Sequence, residues 1–128
     1  MYNIYMSFVI KHLLSQSPKV VLYEKPGILV AQCNYSIINS TTSSINNLYV
    51  NPDFRQEKYG SRILKFTESV IQHNYKINYV HLLAHELPHD SLTSFFEKNG
   101  YVIQTRCSIE TYDDGINLFN LVPMSKKL

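Results

Sequence analysis

The sequence predicts an α+β fold built on a mixed central β-sheet with helices packed against it. Three observations predict it. Two passages run strand, helix, strand, which implies local parallel pairing. Two other pairs of apolar runs are joined by turn residues, as in β-hairpins. The 128 residues are 45% hydrophobic and 17% charged, enough apolar material for a core and too few charges for disorder. No internal repeat or linker is visible, so residues 1–128 are expected to form a single domain.

The elements follow in chain order. Ile4, Met6, Val9, Ile10, Leu13 and Leu14 recur at helical spacing and predict an amphipathic helix over 4–15. "KVVLYE" (19–24) and "ILVAQCNYSII" (28–38) flank Pro26-Gly27 and predict a hairpin, since Pro26 presets φ and Gly27 supplies a positive one. "NSTTSSINN" (39–47) is polar and predicts a loop; "NLYV" (47–50) predicts a short strand, stopped by Pro52. Tyr59, Ile63, Phe66 and Val70, with Leu64 and Ile71, place one apolar face on a helix over 60–73. "INYVHLLAH" (77–85) alternates Val80, Leu82 and Ala84 with Tyr79, His81, Leu83 and His85, which predicts a strand that Pro88 breaks. Asp90 or Ser91 can cap a short helix over 91–98, which Asn99-Gly100 ends. "YVIQTRCSIE" and "INLFNLV" read as strands about Asp114-Gly115.

Composition excludes several classes. A net charge of +2 is too small to point to nucleic acid or an acidic membrane surface, and no apolar run reaches the roughly 18 residues of a membrane span. The N-terminus lacks a basic leader and a small-residue cleavage site, so no signal peptide is expected. Cys33 and Cys107 lie in apolar, strand-like stretches and read as buried free thiols of a cytoplasmic protein. The final "KKL" reads as a solvated basic tail, and no metal site is expected.

The stretch "NPDFRQEKYGSRIL" (51–64) carries the chemistry. A turn entering a helix N-terminus presents backbone N–H groups and the positive end of the helix dipole, a natural seat for phosphate. Arg55, Lys58 and Arg62 add positive charge. "LYVNPDFRQEKYGSRIL" resembles the acetyl-CoA-binding motif of the GNAT N-acetyltransferase superfamily. That motif is a strand ending L-x-V, then x-P-x-x, then Arg/Gln-x-x-Gly-x-Gly/Ala before a helix. Leu48, Val50, Pro52, Arg55, Gly60, Ile63 and Leu64 fall on it in register. "SLTSFFEKNGYVI" (91–103) resembles the family's next motif, A-x-x-h-Y-x-K-x-G-F, through Phe95, Glu97, Lys98, Gly100 and Tyr101. "TYDDGINLFNL" resembles its closing hairpin, so the likeness spans 19–122.

The resemblance implies an α/β/α sandwich of the GNAT acyl-CoA N-acyltransferase type, with strands 47–50 and 78–85 splayed in a V. It implies acetyl-CoA as co-substrate, its pantetheine arm along 47–50 and its pyrophosphate on the backbone of 55–61. Leu48, Val50, Arg55, Gln56, Glu57, Lys58, Tyr59, Gly60 and Ser61 would hold it, with His89 where an Asn often contacts the cofactor. Gly60 is expected to keep the backbone open to the pyrophosphate. The acceptor is a primary amine, small-molecule or on a peptide or protein, attacking the thioester directly.

The departures from the pattern are specific. Lys58 replaces the first motif glycine, which costs on the order of 1–2 kcal/mol if the position needs a positive φ. Phe96 replaces a Tyr that protonates the departing thiolate in many relatives, and Tyr101 reads as core. The strand over 43–50 has no Asp or Glu to act as base. His81 and His85 share a face of the splayed strand, and His85, nearer its C-terminal end, is the expected base. Relatives usually place a strand and two helices before the first hairpin, where this sequence has residues 1–18. Either the acceptor site is open, which suits a peptide or protein, or a second chain of a homodimer covers it. The alternatives are a non-catalytic GNAT-fold module that binds CoA or joins an assembly, and an unrelated α+β interaction domain.

Overall fold

The computed structural model describes residues 8–13, 18–24, 27–55, 58–87, 90–104, 110–113 and 118–128. Among these residues, nine strands and two α-helices follow in the order β1 (Phe8–Leu13), β2 (Lys19–Glu24), β3 (Ile28–Ile37), β4 (Thr42–Val50), α1 (Tyr59–Tyr75), β5 (Tyr79–Leu87), β6 (Asp90–Ser91), α2 (Leu92–Lys98), β7 (Val102–Ile103), β8 (Glu110–Asp113) and β9 (Leu118–Lys127). They make one sheet in the order β1-β2-β3-β4-β5-β9-β7, with β6 on β5 and β8 on β9. Only β4 and β5 pair in parallel among the described strands; the rest are antiparallel. The α+β class and the mixed sheet are those the sequence predicts. The second strand–helix–strand passage does not pair directly, because β9 lies between β5 and β7.

One core lies between the sheet and the helices. Val80, Leu82 and Ala84 of β5 turn into it, with Val20, Leu22, Cys33, Tyr35 and Met124 from neighbouring strands. Tyr79, His81 and Leu83 turn to the opposite, exposed face, as the alternation predicts. Both helices contribute to the same core and touch each other, Asn99 just past α2 donating to Ser61 Oγ of α1 at 3.2 Å. No helix covers the opposite face among the described residues.

Several local expectations are corrected. Phe8–Leu13 is a strand, not part of a helix over 4–15, and pairs with β2 from Phe8↔Glu24 to Leu13↔Lys19. A short apolar run rich in β-branched residues fits either period, and the free edge of β2 decides between them. The loop predicted over 39–47 is strand from Thr42 onward, because β4 is sandwiched between β3 and β5. Its inward positions are Ser43 and Ile45; Ser43 looks polar in sequence, yet it is fully buried with its hydroxyl donating to the Tyr79 carbonyl at 2.9 Å.

Helix α1 keeps most of the predicted face, with Tyr59 and Val70 packed against the core, and departs from it at Phe66. Ile63, Leu64, Thr67, Glu68 and Ile71 are buried and Phe66 is exposed. Two polar side chains can face inward because both are satisfied: Thr67 Oγ1 donates to the Ile63 carbonyl at 2.8 Å, and Glu68 is paired. The "KKL" end is no free tail. β9 carries on past Pro123, and Lys126 reaches Glu68 Oε1 at 2.9 Å and the Asn99 carbonyl at 2.8 Å. Cys33 is a buried free thiol; Cys107, Pro26 and the Asp114-Gly115 turn lie outside the described residues.

Candidate active site

The sheet forks at its only described parallel pair. β4 and β5 pair from Thr42↔Tyr79 to Ile45↔Leu82 and then part. The cause lies in the next residue of β4. Asn34 of β3 opposes Asn47 whereas Tyr35 opposes Ile45, so Asn46 is an extra residue, a β-bulge. A bulge bends its strand and increases local twist, which turns 46–50 away from β5. The bulge is pinned by side chains: Ser44 Oγ donates to Asn46 Oδ1 at 2.8 Å, and Asn46 Nδ2 donates to Ser36 Oγ. Farther along, β6 occupies the β5 edge at Glu86 and Leu87.

Two hollows meet at the fork. The smaller, about 100 Å³, runs along Asn47 and Leu48 toward Leu92 and Phe96. The larger, about 500 Å³, includes Ser44, His81, Gln104, Leu121 and Pro123. Ile45, Asn46, Leu82 and Leu83 line both.

At the far end of the diverging β4, the chain enters α1. Asn51 caps a 3₁₀ turn, Pro52–Phe54, accepting from the Asp53 N–H at 3.0 Å and donating from Nδ2 to the Leu29 carbonyl at 2.8 Å. Arg55 Nε donates to the Val50 carbonyl at 3.3 Å, which ties the turn to the strand end. Lys58 is the N-cap of the 17-residue α1 with φ 66° and ψ 17°, and its side chain makes no capping hydrogen bond. The position the motif gives to glycine therefore does have the left-handed conformation glycine favours. Arg55, Lys58 and Arg62 are exposed there, and the Arg62 guanidinium lies 5.6 Å from the Tyr59 ring centre. An uncapped helix start beside three cations, next to a diverging strand, fits a diphosphate on an extended arm.

Gly60 answers to packing. A Cβ there would sit 3.3 Å from Phe95 Cζ and 3.5 Å from Val50 Cγ2. The glycine lets α2 close onto α1 and β4, a packing role beside the expected one toward the pyrophosphate. Phe96 is 5% exposed and its ring packs edge-on against Phe95 and Tyr101. It carries no proton to give. Tyr101 is core, as expected, but anchored: its hydroxyl donates to Glu68 Oε2 at 2.8 Å.

The family-model comparison decides the relationship. The model described as an acetyltransferase (GNAT) domain matches residues 15–103. The chain belongs to the GNAT family. No curated protein matches it by sequence. Among solved structures it is similar to the IAA acetyltransferase from Bacillus cereus ATCC 14579, with a TM-score of 0.71 and 15% identity over 95% of this chain and 100% of that one. A GNAT family acetyltransferase from Elizabethkingia anophelis with acetyl-CoA bound gives a TM-score of 0.71 and 11% identity over 95% and 99%. The PaiA N-acetyltransferase from Thermoplasma acidophilum in complex with coenzyme A gives 0.64 and 21% over 86% and 60%. At these identities the likeness is one of fold.

Within this GNAT domain the candidate residues fall in two groups. Leu48 and Val50 line the diverging strand, and Arg55, Lys58, Tyr59, Gly60 and Ser61 gather at the start of α1. Gln56, Glu57 and His89 lie outside the described residues. His85 is a β5 residue opposite Leu121, and its side chain also lies outside them. Sequence reasoning missed Asn46 and Asn99. The bulge has no signature beyond two consecutive asparagines, and Asn99 read only as a helix stop.

Proposed function

We propose that this GNAT domain is an N-acetyltransferase that moves the acetyl group of acetyl-CoA to a primary amine. The fork carries this reading: parallel pairing ends at Ile45↔Leu82, and the diverging strand leads to the uncapped, cation-flanked start of α1. The edge of β4 beyond Asn46 would pair with the amide-bearing arm of the donor, and the N–H groups of the first turn of α1 would hold its diphosphate. Lys58, Arg55 and Arg62 would add charge, with Leu48 and Val50 beside the arm. Acetyl-CoA supplies the activated acetyl group. The protein's part is to fix that group at the fork and to admit the amine on a near-attack path. Phe96 gives no proton to the departing thiolate, so solvent supplies it; a thiol of pKa about 8.5 leaves tolerably without a donor.

Millimolar acetyl-CoA should raise the melting temperature, since a ligand that binds only the native state stabilises it by mass action. Free thiol should then appear when primary amines are added. Phe96 favours a second reading, a non-catalytic module that binds CoA. A thermal shift with no thiol release from any amine would select that reading; no shift, with a working acetyltransferase shifting alongside, would remove both. The buried free Cys33 supports a reducing, cytoplasmic setting.

A further inference from the structure

We infer that the larger hollow seats the acceptor, that the acceptor is a primary amine borne next to an apolar group, and that His81 takes its proton. This rests on the acetyl-transfer reading above. The first support is continuity. The larger hollow and the cleft along β4 share Ile45, Asn46, Leu82 and Leu83, the residues of the fork. A donor arm lying along β4 would end where the larger hollow begins.

The second support is the lining. Leu83 is 56% exposed at the fork and has Leu121 and Pro123 as fellow wall residues. An exposed large apolar side chain in a concave wall favours an apolar occupant. Polar groups lie among Ser44, Asn46, His81 and Gln104. A volume of about 500 Å³ suits an aromatic or branched aliphatic amine, or the first residue of a peptide.

The third support is His81 itself. It is exposed, lines the larger hollow, and lies one register step before the fork, with Ser44 on one side and Ser125 on the other. Among the described residues lining either hollow it is the one imidazole, and no other lining side chain can take up an amine proton. Gln104 donates to Ser125 beside it, and Tyr79 and Lys127, a register pair, are among the described residues the titratable neighbours one alternation away on that face. Ser44 points its hydroxyl proton at Asn46, so His81 is not consumed by that bond. The amine nitrogen forms the C–N bond at the thioester carbon, and the C–S bond breaks with its electron pair on sulfur. The imidazole of His81 takes the proton the nitrogen loses, and the thiolate takes one from water.

Calorimetry with 2-phenylethylamine, in the presence of CoA, tests the seat without needing turnover. Binding is expected, and Leu83→Glu should weaken it at least about tenfold. Spermidine, as large but polycationic, should bind more weakly than 2-phenylethylamine to the wild type. A peptide beginning with phenylalanine separates the two sources of the same chemistry: tighter binding than 2-phenylethylamine assigns a peptide terminus, weaker binding a small amine. Spermidine binding best, or Leu83→Glu leaving affinity unchanged, would overturn the seat. Thiol-release kinetics test the base. His81→Gln should lower kcat/KM at least about tenfold at neutral pH and abolish its rise with pH through the imidazole range, with the acetyl-CoA thermal shift kept. An unchanged pH profile would overturn the assignment to His81. Amine binding without any thiol release would leave the seat standing and sink the acetyl-transfer reading with the base.

Discussion

Lys58 shows how far a single residue can be read from sequence. The motif register marks it as a glycine position, and the left-handed φ of 66° is that register's physical content. A lysine there keeps a strain that glycine would lack, on the order of 1–2 kcal/mol. Its side chain caps nothing, so it offers no local compensation. Two substitutions separate strain from charge. Lys58→Ala removes the charge and keeps the strain; Lys58→Gly removes both. In urea unfolding, Lys58→Gly should be the more stable of the two by about 1 kcal/mol, after allowance for glycine's larger unfolded entropy. If the cation helps only as a point charge, both should lose acetyl-CoA affinity alike, by less than about tenfold, and the loss should shrink in high salt. A large gain in affinity for Lys58→Gly would mean that the side chain blocks the site. Gly60 was legible as a glycine position too, but only part of the reason was. The sequence cannot show that Phe95, from another element, lies 3.3 Å from its missing Cβ.

Elements were legible where one period dominated, and were lost where neighbours decided. The strand over Tyr79–Leu87 and the helix Tyr59–Tyr75 carry long, regular patterns, and both appear. β1 and the first half of β4 have weak patterns and take their form from the strands beside them. The face of α1 differs from the predicted one at Phe66, which is exposed, and at Glu68, a charged residue that is buried. In the fold it accepts from Lys126 Nζ at 2.9 Å and from the Tyr101 hydroxyl at 2.8 Å, joining α1 to β9 and to the turn after α2. Lys126 also holds the Asn99 carbonyl, and Asn99 holds Ser61 at the start of α1. The alternation along β9 could have hinted that Lys126 faces inward; nothing in sequence pairs it with a residue 58 positions away. Breaking one partner of such a pair leaves a charge in poor surroundings. Lys126→Met should therefore destabilise by about 2–4 kcal/mol, discounted from a fully buried pair because the lysine side chain is 21% exposed. The double change Lys126→Met with Glu68→Gln should recover at least half of that in chemical denaturation. Equal losses in single and double variants would show that the pair does not act as a unit. The two helices make a second such contact: Gly60→Val should cost about 1–3 kcal/mol through the clash with Phe95, and Phe95→Leu should relieve part of it.

At the scale of the whole molecule, one sheet face is packed under both helices and the other holds the open fork, and the packed face sets how the fold responds to pH. Its core encloses acids that must stay protonated. Burial, partly offset by a hydrogen bond to Thr67 and reinforced by the Glu68 charge, pushes the Cys33 thiol from 9.0 up to about 12. Burial first, then the Glu68 carboxylate, raises the Tyr101 phenol well above its ordinary 10.0. Burial, with Tyr75 alongside, raises Tyr35 in the same direction. The folded chain therefore holds these protons to higher pH than the unfolded chain does. Below the ordinary thiol value of 9.0 both states are protonated and the contribution to stability is complete. As pH climbs from there toward the raised values, unfolding releases protons, and stability falls. The urea midpoint should be flat from about pH 7 to about pH 8.5 and drop steadily by about pH 10.5. Tyr101→Phe tests which groups carry the drop. It should begin about 1–3 kcal/mol less stable near pH 8, because a hydrogen bond to a carboxylate is lost, yet lose less on going to pH 10.5. Cys33→Ala should flatten the lower part of the same descent. Parallel curves for wild type and both variants would place the alkaline sensitivity outside this core.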